Sequence, residues 1–441
     1  MEVTRAEQAI LDHIAAHGPI TFAHFMEMAL YTAPGSYYGS QGEGIGSEGD
    51  FFTSPEVHPA FGALLARQVE QAWVAMGRPS PFRIMEMGPG TGALARDILS
   101  YVRLHSPGFY QAIGYLMMER SHAMAALQRR CMAESLHEGV VSWVIAPSFD
   151  LGKRSITGCI LSNELPDAFP VHRVVSLGGR LQELYVHAPG GRLAETVGPL
   201  SDPRLARYFG AVGVAPLEGA KVEVNLAALD WMVGVAGALD RGLALTVDYG
   251  YPAEELYSPR HPEGTLLCFY RHTVNSDPYA RVGEQDITAH VDFSSLARVG
   301  EASGLQSYGL AFQREALLSL GMDSYLRQLS FLHLRRAELD ANRLGMEELL
   351  KSRGLGRIRM LLQGRGMGGF QPASLGQGGD LSLQLGRDLA EEPPPLLTAS
   401  HLRLNAPPPR EGMLDEAGMW RDLMGEEGEG EEPRLPPGGL R

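Results

Sequence analysis

The sequence predicts an α/β fold: a mostly parallel sheet with helices before it, an inserted antiparallel hairpin region, and further helices after it. Three observations predict it. From Phe82 onward, short apolar runs alternate with segments of helical periodicity. A glycine-rich turn joins the first of these runs to the first of these helices. The alternation then breaks at 171–186, where VHRVVSLGGRLQELYV reads as two strands around Gly178-Gly179. Strands separated by helices require right-handed crossovers, and hence parallel neighbours.

The elements follow in order. Residues 5–17 and 22–31 carry apolar positions at helical spacing, broken by His17-Gly18-Pro19. A Gly-rich segment runs from Pro34 to Asp50, readable as a mobile cover or a surface connection. Pro59 to Met76 reads as a helix. Arg83–Met87, Ile113–Met118, Val140–Ala146 and Gly158–Ser162 read as strands, with helices at Ala93–Val102 and Ser121–Ala133. After the hairpin, a helix at Asn225–Leu239 and a strand at Leu243–Val247 resume the pattern. A long irregular stretch follows Gly250, with helices near Phe293–Ala302, Glu315–Arg335 and Arg343–Lys351. The organisation expected is a helical and Gly-rich start (1–76), a first sheet portion (77–164), the hairpin insertion (165–220) and the remainder with its helices (221–375). Residues 376–441 lose periodicity, hold triple prolines at 393–395 and 407–409, and read as a disordered acidic tail.

Composition narrows the function. The chain of 441 residues is 44% hydrophobic, with 38 basic and 52 acidic side chains and a net charge of −14. Residues 388–441 hold twelve acidic and five basic side chains, so much of the excess sits in the tail. This balance argues against a nucleic-acid partner, whose phosphates call for a basic face. Cys131, Cys159 and Cys268 are far apart and form no CxxC pair, which suits a reducing compartment and suggests no metal. No stretch approaches the roughly 18 apolar residues of a membrane span, and the N-terminus lacks the apolar core of a leader. The expectation is a soluble, cytoplasmic protein.

The sharpest local signal is Glu86-Met87-Gly88-Pro89-Gly90-Thr91-Gly92, between a strand and a helix. Glycines at alternate positions let the backbone turn tightly and approach a ligand at the helix N-terminus. Gly88, Gly90 and Ala93 also satisfy the dinucleotide pattern, so NAD must be weighed. Two details favour S-adenosylmethionine (SAM). Glu86 suits the ammonium of its methionine part and would repel a pyrophosphate. Pro89 has no N–H to give a phosphate. Glu119, ending the second strand, can accept both ribose hydroxyls of either nucleoside, or can simply close the strand at the surface.

The chemical site is expected at Ser162-Asn163-Glu164-Leu165-Pro166-Asp167, because open α/β sheets bind ligands at the carboxyl ends of their strands. Methyl transfer from a sulfonium is an in-line displacement, so positioning dominates. An arginine acceptor stays protonated and needs carboxylates, which Glu164 and Asp167 would supply. Asn163 joins them, with an Asx turn at the strand end as the alternative reading. His172, His272 and His290 lack metal-ligand spacing and read as packed or surface histidines.

Taken together, these residues resemble a known family. PGSYY at 34–38, GDFFTSPEV at 49–57, EMGPGTGAL at 86–94, NELPDAFPVH at 163–172, VDYG at 247–250, GTLLCFYRH at 264–272 and DITAHVDF at 286–293 are similar to the MidA-type class I SAM-dependent methyltransferases. The resemblance implies a Rossmann-like class I methyltransferase sheet, SAM as cofactor, and Glu86, Gly88, Gly90, Gly92 and Glu119 lining its site. It further implies that Asp50, Thr53, Ser54 and Glu56 floor the active site, though Asp50 and Ser54 could equally cap a helix. Asn163, Glu164 and Asp167 should face the substrate, with Asp248 and Tyr249 near the crevice. The family's mitochondrial member is a complex I assembly factor and protein arginine methyltransferase. That implies a protein arginine substrate here, in a respiratory NADH dehydrogenase subunit. Thr91, Leu165-Pro166 and the tail after 376 depart from the family pattern. Two rivals remain open: an assembly factor that binds SAM without turnover, and an NAD-dependent oxidoreductase.

Overall fold

The apolar runs fold into strands because each is short, rich in large apolar side chains and flanked by breakers. The computed structural model describes residues 3–39, 53–133, 139–146, 152–271 and 273–397. The chain opens with α1 (Arg5–His17) and α2 (Phe22–Glu27), the latter running into a π-helical turn at Met28–Thr32. After a short turn at Ser54–Val57 comes α3 (Ala60–Ala75). Then follow β1 (Phe82–Met87), α4 (Ala93–His105), β2 (Ile113–Glu119), α5 (His122–Cys131), β3 (Val141–Ile145) and β4 (Ile156–Asn163).

The antiparallel region comprises β5 (His172–Leu177), β6 (Arg180–His187), β7 (Ala194–Gly198), α6 (Pro203–Val212) and β8 (Lys221–Val224). The hairpin turns at Gly178-Gly179, both with positive φ. The region is a second sheet rather than a lone hairpin, since Ile20–Thr21 and β8 also join it. The chain returns through α7 (Leu226–Ala238) and β9 (Leu239–Asp248), then α8 (Phe293–Ala302), β10 (Gln306–Phe312), α9 (Gln313–Ser319), α10 (Met322–Leu329), α11 (Arg336–Leu350) and β11 (Arg359–Arg365).

The main sheet has seven strands in the order β10-β11-β9-β4-β1-β2-β3. Its five central and right-hand strands are parallel, whereas β11 runs antiparallel to both β9 and β10. The strands β10 and β11 were not expected from sequence. Alternate residues of β1 bury on opposite faces: Phe82 and Ile84 pack with α3 and α4, Met85 and Met87 with Trp231, Met232 and Phe293. The chain builds outward from β1 through β2 to β3, then crosses back to β4 on the other side of β1. That reversal opens a crevice between the carboxyl ends of β1 and β4.

A correction concerns the end of the chain. Residues 376–397, expected to be part of a disordered tail, pack against α3. A short helix, α12 (Leu381–Leu385), buries Leu381 and Leu385, and Leu389 follows them into the core. Fully buried Arg67 on α3 pairs with Glu392 at 2.9 Å and donates to Tyr101 and the Leu320 carbonyl. Burial of a guanidinium requires such partners, and the segment supplies one. Residues 398–441 lie outside the described residues. Among the described residues, no helix is long and apolar enough to cross a membrane.

Candidate active site

The crevice between β1 and β4 is a cavity of about 690 Å³. Its walls come from the glycine loop, the end of β2 and start of α5, the loop after β4, and the N-terminal segments around Tyr31, Tyr38 and Thr53.

Gly88, Gly90 and Gly92 all have positive φ, at 65°, 51° and 86°, a region that costs a side-chain-bearing residue roughly 1–2 kcal/mol. A Cβ at Gly88 would lie 2.7 Å from Leu165, so this glycine lets the β4 loop close in. At Gly90 a Cβ would meet nothing within 4 Å, because open space lies beside it. The Gly88 N–H donates to the Met118 carbonyl and the Gly92 N–H to that of Pro89. With Pro89 itself, three positions of the loop thus have no N–H for a phosphate.

Glu86 lies beneath this loop, 2% exposed, accepting from the Tyr115 hydroxyl at 2.7 Å. Burial pushes its pKa up to about 8, only partly opposed by Tyr115. An adjacent cation would reverse that shift. Glu119 accepts from the backbone N–H groups of Arg120 and Ser121 through one oxygen and from Gln128 through the other. Burial raises its pKa despite these donors.

On the opposite wall, β4 delivers Asn163 and Glu164. The Asn163 amide donates to Glu164 Oε1 at 3.1 Å, and the Ser54 N–H donates to the same oxygen. Asn163 Oδ1 and Glu164 Oε2 are shielded from solvent and have no hydrogen-bond partner among the described residues. Glu164 holds φ at 49°, an uncommon conformation for a non-glycine residue that tends to mark functional sites. Burial, with the neighbouring Asp167 carboxyl, raises its pKa to about 8.

The cavity also takes Tyr31, Thr32, Tyr38 and Glu56 into its wall. Tyr31 and Tyr38 stack with centroids 5.3 Å apart, and the Tyr31 hydroxyl donates to the Ala168 carbonyl. Arg120, the arginine on the wall, sits 4.5 Å over the Tyr31 ring and pairs with Glu27.

Most of the expected residues converge here. Glu86, Gly88, Gly90, Glu119, Thr53, Asn163 and Glu164 line one cavity. Gly92 caps α4 just behind the wall. Ser54 turns its hydroxyl away to Gln313 at 2.9 Å. Asp167 is also off the wall: it is buried, beside Asp286 and Asp248, and its pKa rises to about 7 through burial and Asp286. Tyr249 is buried behind the loop, and Asp248 holds that loop by backbone N–H groups. Asp50 and His272 lie outside the described residues. His172 contacts Glu183 at 2.8 Å, and His290 is buried near Tyr251. Sequence reasoning missed Tyr31, Arg120 and Gln128. The signal for Gln128 was available: it shares the buried stripe of α5 with Met124 and Ala125, a polar residue where an apolar one is expected.

Comparison with known proteins agrees with this geometry. A family model of S-adenosyl-L-methionine-dependent methyltransferases matches residues 64–311. The mitochondrial protein arginine methyltransferase NDUFAF7 of Rattus norvegicus is 30% identical over 352 residues, 74% of this chain and 76% of the relative. Its counterpart from Mus musculus is 29% identical, covering 74% and 77%. A protein from Burkholderia thailandensis, whose crystal structure holds bound S-adenosyl-homocysteine, superposes with a TM-score of 0.75 at 28% identity, covering 85% of this chain and 95% of that one. The expectation of a cytoplasmic protein is corrected by these relatives, which are mitochondrial in mouse, rat and human alike.

Proposed function

Because this chain belongs to the MidA-type S-adenosyl-L-methionine-dependent methyltransferases, we propose that it methylates the guanidinium of a protein arginine at the β1–β4 cavity. The enzyme is a methyltransferase, and SAM is its methyl donor. The observation that carries the finer reading is charge. Among the described residues, Glu56, Glu86, Glu119 and Glu164 line one cavity, against a single lining arginine that already pairs with Glu27. Such a wall suits cationic ligands, which draw the raised carboxyls back to their ionised form, and gives a pyrophosphate little positive charge to pair with, which disfavours NAD.

When bound, SAM supplies a sulfonium methyl open to in-line displacement. The open space beside Gly90 and the size of the cavity fit it. Glu86 holds the ammonium, its raised pKa falling when the cation arrives. Glu119 accepts from the ribose hydroxyls. Glu164 Oε2 and Asn163 Oδ1, both unpartnered among the described residues, accept guanidinium N–H donors and orient the attacking nitrogen. A carboxyl that titrates near neutrality can also take the proton the nitrogen must lose.

The arginine target is supported by the names of the relatives, which are protein arginine methyltransferases. A core subunit of a respiratory NADH dehydrogenase is the target we propose, on the strength of the MidA-type resemblance. The test is methyl-labelled SAM with extract from cells lacking this protein, followed by mass spectrometry of respiratory-complex subunits. We expect label on arginine in one subunit. Measurable SAM affinity with no labelled acceptor would leave only the assembly-factor reading.

A further inference from the structure

We infer that Gln128 is a positioning residue for the nucleoside half of the site, holding the Glu119 carboxylate and the Gly90 carbonyl at a fixed separation. The inference rests on the reading that Glu119 meets the ribose of SAM.

Gln128 is completely buried on α5, behind the cavity wall. Its Oε1 lies 3.0 Å from Trp143 Nε1, and an indole N–H can only donate. The amide therefore has one allowed orientation, with Nε2 facing away from Trp143. The two protons of Nε2 are then both used: one goes to the Gly90 carbonyl at 2.9 Å, the other to Glu119 Oε2 at 2.8 Å. Glu119 is held at its other oxygen by the N–H groups of Arg120 and Ser121, at 2.8 and 2.9 Å. Its carboxylate is thus fixed by three donors on the protein side while the residue still forms cavity wall. Gly90 belongs to the glycine loop, which lines the same cavity. A single side chain ties the two contact points together, and Trp143 locks that side chain. The Gln128 bond also favours the ionised form of Glu119 against its burial, which is the form that accepts from hydroxyls.

The experiment titrates S-adenosyl-homocysteine and its 2′-deoxy analogue into the wild type, Gln128→Leu and Trp143→Phe. Gln128→Glu, nearly the same shape, keeps the test alive if the leucine variant does not fold. We expect the wild type to prefer the ribose ligand. Gln128→Leu should lose roughly tenfold to a hundredfold in affinity for it, the weight of a hydrogen bond to a charged group. The loss should be much smaller for the 2′-deoxy ligand and should grow as pH falls. Trp143→Phe should show the same pattern, weaker. Equal losses on both ligands, or none, would overturn the positioning role. A wild type that treats the two ligands alike would instead overturn the ribose reading beneath it.

Discussion

Asp248 Oδ2, at the end of β9, accepts the backbone N–H groups of both Leu165 and Asp167, each at 3.2 Å. The Glu164 N–H meanwhile donates to the Val247 carbonyl at 2.8 Å. The loop that carries Glu164 in its left-handed conformation is therefore pinned on both sides of that residue by the neighbouring strand. A strained residue persists only where its surroundings over-determine it, and these bonds do so. We expect Asp248→Ala to lower turnover by at least about tenfold while leaving S-adenosyl-homocysteine affinity within a few-fold, since two orphaned N–H groups let the loop shift. Steady-state kinetics beside a ligand titration checks this.

Glu164→Gln keeps the shape and removes the carboxyl that can ionise against the acceptor and take its proton. Cofactor affinity should be unchanged, with kcat falling roughly 10²- to 10⁴-fold, the range for loss of a positioned acid or base. Full activity in this variant, measured on the methylated protein, would remove Glu164 from the mechanism.

Stability should fall as pH rises. Glu86 and Glu164 are both raised from 4.5 to about 8 in the folded chain. Between those values the unfolded chain has lost these protons and the folded chain keeps them. Each group therefore costs up to about 1.4 kcal/mol per pH unit across the window, levelling off above it. S-adenosyl-homocysteine carries an ammonium to Glu86, so its stabilisation of the protein should grow with pH over the same range. Thermal melts with and without ligand check both trends, and Glu86→Gln should flatten them.

The segment after 376 should matter for folding. Glu392 pairs with buried Arg67 and with Arg387, which in turn pairs with Glu70. Glu392→Ala leaves Arg67 buried without its carboxylate, a loss of about 3–5 kcal/mol by the measure of broken buried pairs. Urea unfolding of the variant checks the figure.

Much of this architecture could be read locally. The glycine loop was legible because its positive φ values leave little choice of residue, and α8 because Phe293 to Ala302 keeps helical periodicity between two breaks. β10 and β11 were not. QSYGLAF is half-exposed and interrupted by Gly309, and RMLLQGR offers only a short apolar run. Their strand character comes from pairing with each other and with β9. At the site, residue types were legible but side-chain directions were not. Ser54 turns to Gln313, and Asp167 turns inward beside Asp286, because partners hundreds or scores of residues away decide those rotamers. The end of the chain was misread for the same reason: its three leucines find a core only once α3 is in place.

The most direct measurement is an isothermal titration of S-adenosyl-homocysteine into the wild type and Gly90→Val. A valine side chain would project into the open space beside Gly90, from a backbone at φ 51°. We expect one site per chain in the wild type and no heat in a Gly90→Val protein that still melts cooperatively. No heat in the wild type, or undiminished binding in the valine variant, would contradict the assignment of this cavity to the methyl donor.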